Sequence, residues 1–176
     1  MENQLGPSSE RANVQISSSK ECNAKFKSFP SRWRCIALRE LDLGVEEVPG
    51  NGSNPRILDY AEFAAPDSPL RAQGDDIPWS GLFVAWVVAQ SGVDPGNFPE
   101  NPYRNRTWLK FGAELAEPVS GAIALFYTNR RDSPASVMGF FDGEDDKGIY
   151  IIAGNVKNSV ARVQVPRDRL IGFRTF

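Results

Sequence analysis

Hydrophobic positions are densest between Leu82 and Ala89, an uninterrupted apolar run preceded by Asp75-Asp76-Ile77-Pro78-Trp79-Ser80 and followed by Gly92. The run has no polar stripe, and glycine supplies a stop, so the pattern predicts a buried helix beginning near Ser80. It is too short to cross a bilayer. Upstream, Trp33, Ile36, Ala37, Leu38, Leu41 and Leu43 recur at helical spacing between Pro30-Ser31 and Gly44. Asn54-Pro55 reads as N-cap and first position of a second helix carrying Ile57, Leu58, Tyr60 and Phe63. Asn101-Pro102 opens another, with Tyr103, Trp108, Leu109 and Phe111, closed by Gly112. Beyond Pro118 the period changes to that of strands, at Ala122–Tyr127, Val137–Phe141, Ile149–Ile152, Val160–Val165 and Leu170–Arg174. Turns are predicted at Asn129–Pro134, Asp142–Gly148 and Asn155–Asn158. Arg162 and Gln164 among valines mark an outer strand with one wet face. Helices first and an antiparallel meander after is an α+β layout.

Before Pro30 the chain is polar and lacks periodicity, so residues 1–29 read as a flexible arm, or as a docking peptide for a partner. Residues 30–176 read as one domain, without internal repeat. The N-terminus shows no charged region followed by an apolar stretch, so a cytoplasmic location is expected, or export by a route without a cleavable signal. Two free thiols at Cys22 and Cys35 are the economical reading for a reducing compartment. A net charge of −2 gives no electrostatic case for nucleic acid or an anionic membrane. The chain contains no histidine and only two cysteines. Imidazole-based dyads and Cys- or His-rich metal sites are thereby excluded within the chain, and no cofactor is expected.

The segment Pro78-Trp79-Ser80-Gly81-Leu82-Phe83-Val84-Ala85-Trp86 resembles the nucleophile helix of the NlpC/P60 and CHAP group of papain-like cell-wall peptidases. In that group a cysteine follows Pro-Trp; here the position holds Ser80. Glu47-Val48-Pro49-Gly50, Asn54-Pro55-Arg56-Ile57 and Trp108-Leu109-Lys110-Phe111-Gly112 are similar, in order, to further motifs of one subfamily. The resemblance implies a papain-like core, with the central helix packed on a five-stranded antiparallel sheet. It aligns Val137, preceded by Ser136, with the family's catalytic histidine. Asn155, in Ala153-Gly154-Asn155-Val156, falls where the family orients that ring.

Nucleophile and base are therefore both replaced, and one of three catalytic positions keeps its residue type. Serine needs a positioned base, whereas cysteine is already partly thiolate near neutrality. Loss of either partner in a serine hydrolase costs on the order of 10⁶ in turnover. The expectation is a degenerate peptidase domain that binds a peptide or peptidoglycan fragment, or partners an active relative or effector protein. The alternative is a hydrolase using Ser80 with a lysine or carboxylate as base, Lys147 and Lys157 being the nearest in sequence terms. On chemistry alone Ser80 is either an N-cap or a nucleophile position. Asp75 and Asp76 either favour the positive end of the helix or bind a cationic ligand. Asn155 is a turn residue or a ligand contact. Trp79, Trp86 and Trp108 are core or a sugar platform. The candidate ligand-binding set is Asp75, Asp76, Trp79 and Ser136.

Overall fold

A computed structural model describes Cys22, residues 28–64 and residues 74–176. The expected arm thus lies outside the described residues apart from Cys22, Ser28 and Phe29. Three α-helices precede the sheet. Helix α1 spans Phe29–Asp42, with the Ser28 hydroxyl accepting from the Ser31 N–H and proline in its first turn. Helix α2 spans Pro55–Ala64, and Asn54 Oδ1 accepts from the Arg56 N–H at 2.9 Å. Helix α3 spans Ser80–Gln90 and buries every residue from Gly81 to Val88. The helix expected after Asn101 is shorter and tighter, a 3-10 helix at Asn105–Lys110. Asn101 itself has φ 55°, which no helix start tolerates.

Six strands follow: β1 Ala113–Leu115, β2 Ile123–Tyr127, β3 Ser136–Asp145, β4 Gly148–Val156, β5 Ser159–Val165 and β6 Leu170–Thr175. They form one antiparallel sheet in the order β1-β6-β2-β3-β4-β5. The fold is α+β, with six strands where five were expected. The additional β1 pairs with β6 at an edge; its three residues are too few and too exposed to produce a period-two pattern. The turn expected at Asp142–Gly148 contracts to Asp146-Lys147, because β3 runs on through a bulge between Phe141 and Gly143. Strand β5 is the opposite edge, as its Arg162 and Gln164 implied. Val45 and Glu47 partly cover it, with the Val160 N–H donating to Val45 O and the Glu47 N–H to Asn158 O.

The main core lies between the helices and one sheet face, where Leu82, Phe83 and Trp79 meet Met138, Phe140 and Ile152. Phe83 and Phe140 pack edge to face, their ring centroids 6.0 Å apart. A smaller cluster, including Phe126, Ile149, Ile151 and Phe173, occupies the other face. Two buried carboxylates tie layers together. Glu40 on α1 accepts from Arg56 Nε and Nη2, both at 2.7 Å, and from the Tyr60 hydroxyl at 2.5 Å. Asp142, in the β3 bulge, receives Arg34 Nε of α1 at 2.6 Å and Arg162 Nε of β5 at 2.7 Å. Leaving either carboxylate unpaired costs roughly 3–5 kcal/mol.

Cys22 and Cys35 are not free: they form a disulfide with Cα atoms 5.6 Å apart. Cys35 sits on the inner side of α1, and Cys22 is itself buried against it. The polar composition around Cys22 hid this contact, because one buried residue makes no periodic pattern. Among the described residues, no helix is long and apolar enough to cross a membrane.

Candidate functional site

Ser80 opens α3 but does not cap it. Trp79 holds the N-cap position without a side-chain bond, and Ser80 is the first helical residue. The first intrahelical bond runs from the Phe83 N–H to Trp79 O at 2.9 Å. The amides of the first turn therefore precede the ladder and concentrate positive partial charge around Ser80. Among the described residues no group makes a hydrogen bond to the Ser80 hydroxyl.

Close backbone approach fixes the helix in place. A Cβ on Gly154 of β4 would lie 2.6 Å from Phe83 Cβ and 2.8 Å from Trp79 Cζ3, so α3 rests directly on β4. A Cβ on Gly81 would lie 2.3 Å from Tyr103 O, which brings the 102–107 segment across the start of the helix. Trp108 Nε1 donates to Pro102 O at 2.7 Å and Thr107 Oγ1 to Asn101 O at 3.0 Å, bracing that segment.

Between these elements lies a cavity of about 740 Å³. Ser80, Val137 and Asn155, distant in sequence, all line it, Val137 and Asn155 from the adjacent strands β3 and β4. Ser136 lines it too, its hydroxyl donating to Pro134 O at 3.3 Å. Strand alternation gives Ser136 the same face as Met138, toward α3, while the Val137 side chain also packs against the second cluster. Asn155 takes φ 59° at the bulge in β4, and its Nδ2 donates to Ile77 O at 3.1 Å. It is thus a bulge residue and a tether at once, holding the approach to α3 against the sheet, and the turn expected at Asn155–Asn158 contracts to Lys157-Asn158.

The remaining candidates lie elsewhere. Asp75 is buried and its Oδ2 accepts from the Val48 N–H at 2.9 Å and the Asn54 N–H at 2.8 Å, which organises the loop ahead of α2. Asp76 is exposed and borders a separate cavity of about 590 Å³ beside residues 47–53. Trp79 is fully buried, with Nε1 donating to Glu47 Oε1 at 2.8 Å. Trp108 is core as well, and Trp86 carries the Arg56 guanidinium 4.4 Å above its ring. None of these five lines the Ser80 cavity, nor does Lys147 or Lys157.

Sequence reasoning missed the wall built by Tyr103, Arg104, Asn105 and Arg106. One signal was available: from Asn101 to Ala113 the chain carries Arg104, Arg106 and Lys110 and no acid. No family model, curated protein or solved structure matches the chain. What the arrangement can do chemically has to be read from its own residues. It offers a hydroxyl at a helix N-terminus, an apolar wall, amide and hydroxyl hydrogen-bonding groups, and guanidinium donors. Among the described residues that line it there is no carboxylate or amine that could take a proton from Ser80, and the chain has no imidazole.

Proposed function

We propose that this protein is a catalytically degenerate papain-like domain of the NlpC/P60 kind, which binds a peptide or cell-wall fragment, or a protein partner, without cleaving it. The convergence of Ser80, Val137 and Asn155 on one cavity supports the relationship, since the three positions follow the family's motif order, although the Val137 side chain itself packs on the far face of the sheet. The observation that carries the loss of catalysis is the cavity wall around Ser80. Arginine stays protonated at any workable pH and cannot serve as a base, and valine has no basic atom. The pre-organised start of α3 and the tether through Asn155 remain, so the site keeps a shaped binding surface after losing its proton acceptor.

The Cys22–Cys35 disulfide favours export over the cytoplasm, since such bonds persist in oxidising compartments. Release of fragments from peptidoglycan tests the reading. Wild type and Ser80→Cys are assayed alone and in combination with Val137→His, and in parallel with Ser136→His. The second placement is included because strand alternation turns residue 136 toward α3. Cleavage confined to a double variant supports a degenerate site. Cleavage by the unmodified protein, abolished by Ser80→Ala, overturns it.

A further inference from the structure

The cavity has a sign. Two arginines, Arg104 and Arg106, line it, and among the described residues no aspartate or glutamate does. Arg104 is exposed, lies 5.7 Å from the centroid of the Tyr103 ring, and forms no ion pair among the described residues. Arg106 is anchored through Nη2, which donates to Arg131 O at 2.8 Å and to Ser133 O at 2.5 Å. Its Nε–H is buried without an acceptor among the described residues, so the guanidinium is not fully neutralised by hydrogen bonds within the fold. Asp132, whose carboxyl feels the Arg106 charge, is occupied by Arg130 through two bonds of 3.1 and 2.8 Å. The positive end of α3 adds to the same field at Ser80. The cationic-ligand role considered for Asp75 and Asp76 finds no carboxylate here.

From this we infer that the Ser80 cavity binds a peptide through a free carboxylate, held by Arg104 and Arg106 while apolar side chains of the peptide lie along Tyr103, Pro134 and Ala135. Guanidinium–carboxylate pairs combine charge with fixed geometry and gain strength in a partly enclosed site. Asn105 and Asn155 supply amides suited to a peptide backbone; Asn105 Nδ2 already donates to Ser136 O at 3.0 Å, which leaves its carbonyl oxygen available. This assignment deepens the proposed binding function and rests on it.

The test follows backbone amide NMR shifts of the full chain on titration with N-acetyl-Ala-Val-Ala carrying a free C-terminal carboxylate, against the same peptide as its C-terminal amide. The carboxylate form should shift residues 80–82, 104–107 and 155 and bind about tenfold more tightly than the amide. Arg104→Gln, an exposed change that spares the fold, should remove most of that preference. Raising the salt concentration should weaken the carboxylate form alone. Equal affinity for the two forms at these residues, unaltered by Arg104→Gln, overturns the carboxylate assignment and leaves peptide binding standing. No shift at these residues with either form at millimolar peptide overturns both.

Discussion

Gly154 offers the sharpest test of how the cavity is built. Replacing it with alanine places a methyl carbon 2.6 Å from Phe83 Cβ and 2.8 Å from both Phe83 Cγ and Trp79 Cζ3. Carbon atoms rest favourably at about 3.5–4.0 Å. Phe83 and Trp79 are both fully buried, and Trp79 is tied to Glu47, so neither can swing into solvent. Overpacking of this kind costs roughly 1–3 kcal/mol, and three simultaneous overlaps put Gly154→Ala near the upper end. Reduced freedom of the unfolded chain returns about 0.4–1 kcal/mol. The expected net loss is therefore about 2 kcal/mol, a sizeable part of the roughly 5–15 kcal/mol that holds a typical domain together. Gly172→Ala is the control: the nearest atom to a new Cβ there is Glu114 Oε1 at 3.7 Å, an ordinary contact. Urea unfolding of both variants reads the difference. If Gly154→Ala and Gly172→Ala match within about 0.5 kcal/mol, α3 does not rest on β4 as described, and Ser80 is not held where the cavity requires it.

Cys35→Ser should lower stability by roughly 3 kcal/mol, the chain-entropy value for a loop of this size, the cysteines being 13 residues apart. Thiol titration of the unfolded, unreduced protein should find no free sulfhydryl, and two would contradict the pairing. Burial, then the bond to Glu40, raises the Tyr60 pKa well above the ordinary 10.0. Its contribution to stability is fully present below that ordinary value and is lost as the pH rises from there toward the raised folded value. Melting temperatures followed upward from pH 9 should fall more steeply for wild type than for Tyr60→Phe, and parallel curves would refute the burial argument. Arg130, first, and the backbone of Asp132 hold the Asp132 carboxyl below its usual range. The small stability linked to it is present above the ordinary aspartate value and is lost as the pH falls through the depressed one. The acid limb of the unfolding curve for Asp132→Asn should accordingly be slightly flatter than for wild type, and a steeper limb would contradict the pairing.

The helix–strand order was legible because each element carries its own period. The all-round apolarity of Leu82–Ala89 marked α3 as central, and Asn54-Pro55 marked the start of α2. Strand β1 was not legible, since three mostly exposed residues follow the edge of β6 and have no pattern of their own. The disulfide depended on one buried residue in a polar stretch. Asp75 was misplaced for a different reason. Its position before a helix suggested a dipole partner, but its carboxylate is consumed by two backbone amides of a loop more than twenty residues earlier. At the cavity, Ser80, Val137 and Asn155, singled out by motif order, are among the lining residues. Arg104 and Arg106 were not, because a short 3-10 segment bearing charge reads as ordinary surface until the start of α3 is seen to lie beneath it.

The central claim is that no described residue lining the cavity can act as a base for Ser80, and the consequence can be measured without knowing the ligand. An activated serine is phosphonylated by a fluorophosphonate probe, whereas an unactivated one is not. Intact-mass and peptide-level spectrometry after exposure to the probe should find Ser80 unmodified at neutral pH. The Ser80→Cys variant under iodoacetamide should alkylate readily, because the helix N-terminus lowers the thiol pKa. A fluorophosphonate adduct on Ser80 of wild type, formed by the folded protein and not by protein denatured before exposure to the probe, would contradict the account.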